Sequence, residues 1–160
     1  MSIVARATQF AAAFTLVAVS RLDAQSGTLR VTIGGGQHAG TYEMSDQCEV
    51  RPDSYPALYL MAFTTGTADS KLPRTMEFFT ASEKGKPDGF VVAVKFLGAR
   101  QNTYEIFAIP RDLTPSAPPV SGRGTVTVKR TATGQVATFS GRTKDGVKMD
   151  GTLDCRSKSS

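Results

Sequence analysis

Hydrophobic and polar residues alternate along much of the chain. The alternation is clearest at 29–33, 125–129 and 147–155, where each apolar side chain is followed by a polar or charged one. A period of two is typical of a β-strand that buries one face and exposes the other. These segments are therefore predicted to be half-buried strands.

Other segments are more continuously apolar. Residues 58–64, 90–97 and 104–109 are predicted as central strands covered on both sides, although 57–63 alone also fits a short helix. The segment RTMEFFT at 74–80 is a further predicted strand. Turn dipeptides such as Thr133-Gly134 and Asp145-Gly146 separate these runs, as hairpins require.

The fold class predicted from this pattern is all-β. Eight or nine short strands with frequent turn signals indicate an antiparallel β-sandwich, with a small closed β-barrel as the alternative. The proline-rich segment 110–120 is interpreted as a stiff crossover between the two sheets of one domain. Residues 122–131, 135–143 and 146–155 are predicted to form a three-stranded meander.

The N-terminal residues have the layout of a secretory signal peptide. Arg6 precedes the apolar stretch 10–19, and a short polar segment ends at Ala24. The sequence thus predicts a signal peptide at 1–24 and a single β domain at 25–160, periplasmic or extracellular. No cysteine lies near the cleavage site, so lipid anchoring is not expected, and no apolar run approaches the ~20 residues of a membrane-spanning helix.

Export determines how the two cysteines are interpreted. Cys48 and Cys155 form the even pair expected of one disulfide in an oxidising compartment. Closing the long loop between Cys48 and Cys155 stabilises the fold by about 4–5 kcal/mol in the chain-entropy treatment. A redox-active pair would instead favour close spacing such as C-x-x-C.

Candidate catalytic chemistry is scarce. His38, the single histidine, lies in GGGQHAG and is interpreted as a polar residue in a hairpin connection, although it is the only base available for a histidine-based triad. Asp46, Glu49 and Asp53 fit a solvated loop, with a weak surface cation site as the alternative. The sequence predicts no catalytic residue, no metal site, no cofactor and no enzymatic activity.

Charge is distributed unevenly. Residues 25–120 carry nine basic and ten acidic side chains, whereas 121–160 carry eight basic and three acidic ones. Lys129, Arg142, Lys144 and Lys148 are the predicted site for an anionic surface, with acidic glycan, lipid head groups or an acidic protein as partner. The competing interpretation is a solvated sheet face. Nucleic acid is not expected because the basic region has few aromatic residues, and the protein is expected to be a monomer.

The aromatic residues leave two functions open. They either fill an ordinary core or line the cavity of a small-ligand or lipid carrier. The residues concerned are Tyr55, Tyr59, Phe63, Phe78, Phe79, Phe90, Phe96 and Phe107.

The C-terminal third resembles the closing strands of small exported β-rich envelope modules. The segments SGRGTVTVKR, TFSGRTKDG and MDGTLDC are similar to those of the mycobacterial 19-kDa lipoprotein antigen family, which has a late cysteine in its last strand. The chain departs from that family because it lacks a lipidation cysteine. The resemblance implies a non-enzymatic binding or structural module of the cell envelope and transfers no site residue.

Overall fold

The computed structural model describes residues 25–50, 58–64, 69–83, 86–98, 102–108 and 122–156. The predicted signal peptide 1–24 and the proline-rich crossover 110–120 lie outside these ranges. Within the described part of the chain, no helix has the length and hydrophobicity of a membrane span. The strands are β1 (Gln25–Ile33), β2 (Gly40–Val50), β3 (Leu58–Phe63), β4 (Pro73–Glu83), β5 (Lys86–Phe96), β6 (Thr103–Ala108), β7 (Gly122–Thr131), β8 (Gly134–Arg142) and β9 (Lys148–Arg156).

The strands form one closed barrel in chain order. β1 pairs with β2 on one side and with β9 on the other, so Leu29 lies opposite both Met44 and Leu153. β6 and β7 are parallel, with Ile106 opposite Gly122, and the remaining pairs are antiparallel. An odd number of strands cannot alternate in direction all round a ring, so closure requires one parallel pair.

The all-β prediction is confirmed, and the sandwich expectation is wrong, because the first and last strands are hydrogen-bonded to each other. The alternative, a small closed β-barrel, is the observed fold. The predicted meander corresponds to β7, β8 and β9. The segment that also fitted a short helix forms strand β3, from Leu58 to Phe63. Closure leaves no open sheet edge within the pairing that the structure describes.

Two inward-facing aromatic side chains meet inside the barrel. Phe78 on β4 and Phe139 on β8 are essentially inaccessible to solvent, and their ring centroids lie 5.8 Å apart. These strands are as far apart as two strands in a nine-membered ring can be. The two rings therefore meet across the barrel axis and fill it at that level.

The predicted aromatic residues divide between the two faces of the sheet. Phe78, Phe90 and Phe96 are buried inside, whereas Phe63 is 59% exposed. Alternation directs Tyr59, Phe79 and Phe107 outward, where they are half-buried. Tyr55 lies outside the described residues.

The predicted disulfide between Cys48 and Cys155 is present, with Cα atoms 5.8 Å apart. Cys48 is on β2 and Cys155 on β9, the two neighbours of β1. The bond therefore spans the inner face of β1 close to Gly27, which lies opposite Cys155. It ties together the strands on either side of the barrel's closing strand.

Candidate functional site

The candidate site is a surface groove beside the β8–β9 hairpin, here called the basic groove. Its volume is about 690 Å³, and it opens to solvent. Four of the lining residues are basic and none carries a carboxylate. The lining consists of Gly122, Arg123, Ser140, Gly141, Arg142, Thr143, Lys144, Gly146 and Lys148.

The hairpin that carries most of these residues is tightly hydrogen-bonded. The Thr143 amide donates to the Val147 carbonyl at 2.8 Å, and the Gly146 amide donates to the Thr143 carbonyl at 2.9 Å. Gly146 has φ of 80°, the left-handed conformation that glycine adopts without strain. The Arg142 guanidinium donates to the Gly146 carbonyl at 2.8 Å, which holds this cation against the turn.

Small residues bring β7 close to the hairpin. A Cβ atom on Gly122 would collide with the Arg142 carbonyl and the Thr143 backbone. Gly141 is confined in the same way, because a Cβ atom there would lie 2.5 Å from the Arg123 carbonyl. This close approach places Arg123 directly opposite Arg142 in the β7–β8 pairing.

Lys148 is the one groove cation with a carboxylate partner among the described residues. Its ammonium lies 2.8 Å from Asp150, which also accepts a 2.6 Å hydrogen bond from the Ser140 hydroxyl. These two donors, with the Lys148 charge, hold the pKa of the Asp150 carboxyl below its usual value. Arg123, Arg142 and Lys144 form no ion pair within the described ranges, so they give the groove a net positive potential.

The structure brings together three of the four predicted residues. Arg142, Lys144 and Lys148 line the groove. Lys129 lies six residues from Arg123 along β7, where it pairs with Val136 of β8. At the rise of an extended strand that separation is about 20 Å. Lys129 is therefore not part of this site, and Arg123 takes its place.

Sequence reasoning missed the residues that shape the groove. Gly122, Ser140, Gly141 and Thr143 carry no charge, so composition gives no reason to single them out. The available signal was the repeated SGR at 121–123 and 140–142, whose arginines Arg123 and Arg142 lie opposite each other in the antiparallel pairing. Recognising it requires knowing the β7–β8 register.

The basic groove is suited to binding anions. Arg123 and Arg142 can donate paired hydrogen bonds to carboxylate, sulfate or phosphate oxygens, while Lys144 and Lys148 contribute mobile ammonium groups. Its size lies within the range of small-molecule sites. All four cations are exposed, so the attraction depends on salt concentration.

His38 is not a groove residue, although the β1–β2 connection that carries it meets the same hairpin, where the Gly34 amide donates to the Lys148 carbonyl at 2.8 Å. It lies in the β1–β2 connection as predicted, but it is only 5% exposed rather than a surface residue. Its ring stacks on Phe96 with centroids 3.8 Å apart, and Tyr104 meets the ring edge-on at 6.0 Å. The Tyr42 hydroxyl donates to the His38 carbonyl at 3.0 Å. This aromatic cluster packs inside one end of the barrel, and burial raises the pKa of Tyr42, as does the nearby Tyr104.

The solvated-loop prediction is wrong for Asp46 and Glu49, because both lie on strand β2. Asp46 accepts a hydrogen bond from the Gln47 amide at 2.7 Å, and Asp53 lies outside the described ranges. Within those ranges, no group of three or more histidine, cysteine, aspartate or glutamate side chains could hold a metal ion.

Comparisons with known proteins show no family. No family model matches the chain. No curated protein matches it. Among solved structures, one described as "Structure of a redesigned beta barrel, b11L5F_LGL" is 19% identical, with 83% of this chain and 90% of that chain covered and a TM-score of 0.39. A likeness at this TM-score carries no argument, and the resemblance to the 19-kDa lipoprotein antigen family stays a prediction.

Proposed function

We propose that this protein is an exported, monomeric, non-enzymatic binding module of the cell envelope that holds anionic ligands in the basic groove. The observation that carries the proposal is a groove lined by four cations and no carboxylate. Its partner is an acidic glycan, a lipid head group or an acidic protein, since each presents anionic oxygens to arginine and lysine.

The disulfide supports the exported location. Cys48 and Cys155 are bonded to each other, which is consistent with an oxidising compartment. The predicted signal peptide 1–24 points to the same location from the sequence. An envelope module that meets acidic polymers or lipids outside the cytoplasm needs a positive surface rather than a reactive centre.

The surroundings of His38 support a non-enzymatic role. A histidine base acts on a serine, threonine or cysteine within hydrogen-bond reach. The His38 ring instead packs against Phe96 and Tyr104, and its Nε2 atom finds no hydrogen-bond partner among the described residues. This environment suits a core residue.

Retention on a soluble polyanion column tests the proposal. The variant Arg142→Gln/Lys144→Gln/Lys148→Gln removes three groove cations, whereas Arg30→Gln/Lys129→Gln/Arg130→Gln removes the same charge outside the groove. The groove variant should elute at much lower salt than wild type, and the control close to it, with little change in melting temperature for either. Equal elution of the two variants would show that net charge, and not the groove, binds the anion.

A small-ligand carrier remains the second candidate, because closed barrels of this size can enclose a ligand. The barrel fold is the observation that favours it. The contact between Phe78 and Phe139 counts against a cavity at mid-height, since the two rings meet across the axis.

A further inference from the structure

The barrel end that carries the basic groove also carries exposed apolar side chains. β1, β3 and β8 run towards this end, as the antiparallel pairings from β8 through β9 and β1 to β3 require. Arg142 ends β8 and Phe63 ends β3. We call this end, with Phe63, Leu72, Arg142 and Lys144, the loop rim.

Phe63 and Leu72 are the large apolar side chains most open to solvent in the described part of the chain, at 59% and 45% exposed. They flank the β3–β4 connection. The Thr64 amide donates to the Arg74 carbonyl at 3.0 Å, and the Thr64 hydroxyl donates to the Pro73 carbonyl at 2.6 Å. These bonds fix the two strand ends, so the exposed side chains project from a rigid frame.

Cations accompany the apolar side chains on this rim. Lys71 precedes Leu72 in the chain, Arg74 follows it by two residues, and both cations are exposed. Arg123, Arg142 and Lys144 stand on the β7–β9 side of the same barrel end. A soluble acidic polymer would use only the cations and would leave Phe63 and Leu72 in water. An anionic bilayer satisfies both, because head groups attract the cations while the acyl boundary accepts the apolar side chains.

We propose that the loop rim docks end-on to an anionic lipid bilayer, with Phe63 and Leu72 inserted at the head-group boundary and the basic groove holding lipid phosphates. The inference rests on the proposed function, since it assigns lipid head groups as the partner of that groove. It adds two residues that soluble-anion binding does not need.

Vesicle flotation tests the docking. Wild type should float with vesicles of an equal phosphatidylglycerol–phosphatidylcholine mixture and not with phosphatidylcholine alone. Phe63→Ser/Leu72→Ser should weaken partitioning at least about tenfold, or 1.4 kcal/mol, while retention on the soluble polyanion column stays unchanged. Met61→Ser is the matched control, since Met61 faces outward on the same strand below the rim. It should bind vesicles as wild type does.

The absence of tryptophan allows a direct readout of insertion. Phe63→Trp should give emission that shifts to the blue and is quenched by brominated lipid in anionic vesicles. Thr138→Trp, on the exposed outer face of β8, should show neither change.

The outcomes separate the two proposals. Polyanion binding that depends on the groove, without flotation, overturns membrane docking and leaves the proposed function standing. Flotation that is indifferent to Phe63 and Leu72 overturns insertion. Loss of groove dependence in both assays overturns the proposed function itself.

Discussion

Gly27 and Cys48 lie so close on the inner face of the barrel that a Cβ atom on Gly27 would come within 2.7 Å of the Cys48 Cβ. The same atom would lie 2.6 Å from the Leu60 side chain. The disulfide holds Cys48 in place, and Leu60 is fully buried, so neither neighbour has room to withdraw. A glycine at this position therefore makes room for the cross-link inside the barrel.

Gly27→Ala should lower the free energy of unfolding by roughly 1–3 kcal/mol, the usual cost of overpacking a filled core. Denaturant titration measures the change. Gly35→Ala is the control, since no atom lies within 4 Å of a Cβ built there, and it should leave stability within about 0.5 kcal/mol. Equal effects of the two substitutions would contradict the packing described at Gly27.

Much of the fold could be predicted from the alternation of residue types. Strands such as β1 and β9 have one apolar face, and Asp145-Gly146 correctly marks the turn between β8 and β9. Barrel closure could not be predicted, because the pairing of Leu29 with Leu153 joins residues that local patterns never compare. A sandwich and a barrel place the same apolar face inward, so periodicity does not separate them.

The candidate site was predictable only where charge marked it. Arg142, Lys144 and Lys148 lie within the short segment 142–148 and all line the groove beside the hairpin. Lys129 shares their composition but lies far along β7, and Arg123 joins them through the register of β7 with β8. His38 was misjudged because a glycine-rich connection suggests exposure, whereas Phe96 and Tyr104 come from distant strands to cover the ring.

The burial of His38 leads to a second prediction. His38→Ala removes a buried ring from the aromatic cluster and should lower the free energy of unfolding by roughly 2–4 kcal/mol. His38→Phe keeps a ring against Phe96 and removes the Nε2 atom that lacks a partner among the described residues. It should retain wild-type stability within about 1 kcal/mol or exceed it. Denaturant melts of the three proteins decide the matter, and a neutral His38→Ala would mean that the ring is not packed as described.

The third prediction concerns acid. The Lys148 ammonium and the Ser140 hydroxyl lower the pKa of Asp150 in the folded protein. The ionised carboxyl therefore stabilises the folded state at pH values above the ordinary aspartate pKa of about 3.9. This contribution is lost as the pH falls through the lowered pKa. Because both partners of the ion pair are partly exposed, this contribution to the free energy of unfolding should stay below about 1 kcal/mol.

Melting temperature against pH is the measurement for Asp150. Asp150→Asn should be less stable than wild type near neutral pH, and the difference should shrink as the pH falls below about 4. Asp145→Asn, in the exposed turn of the same hairpin, serves as the control and should follow wild type throughout. A difference between Asp150→Asn and wild type that does not vary with pH would show that the carboxyl charge is not what stabilises this position.

The last prediction tests whether the barrel is filled. Phe139 is 1% exposed, and its ring meets Phe78 across the axis and lies against Gly151, where a Cβ atom would be 2.5 Å from it. Phe139→Ala should therefore cost roughly 3–5 kcal/mol and leave an apolar cavity on the axis. Apolar cavities of this kind stay dry and take up benzene.

Benzene should consequently raise the melting temperature of Phe139→Ala and leave wild type and the exposed control Thr138→Ala unchanged. If the alanine variant does not fold, Phe139→Leu offers a smaller cavity with the same expected direction. Saturable binding of an apolar probe by wild type would instead reveal an existing cavity and favour the carrier over the filled module.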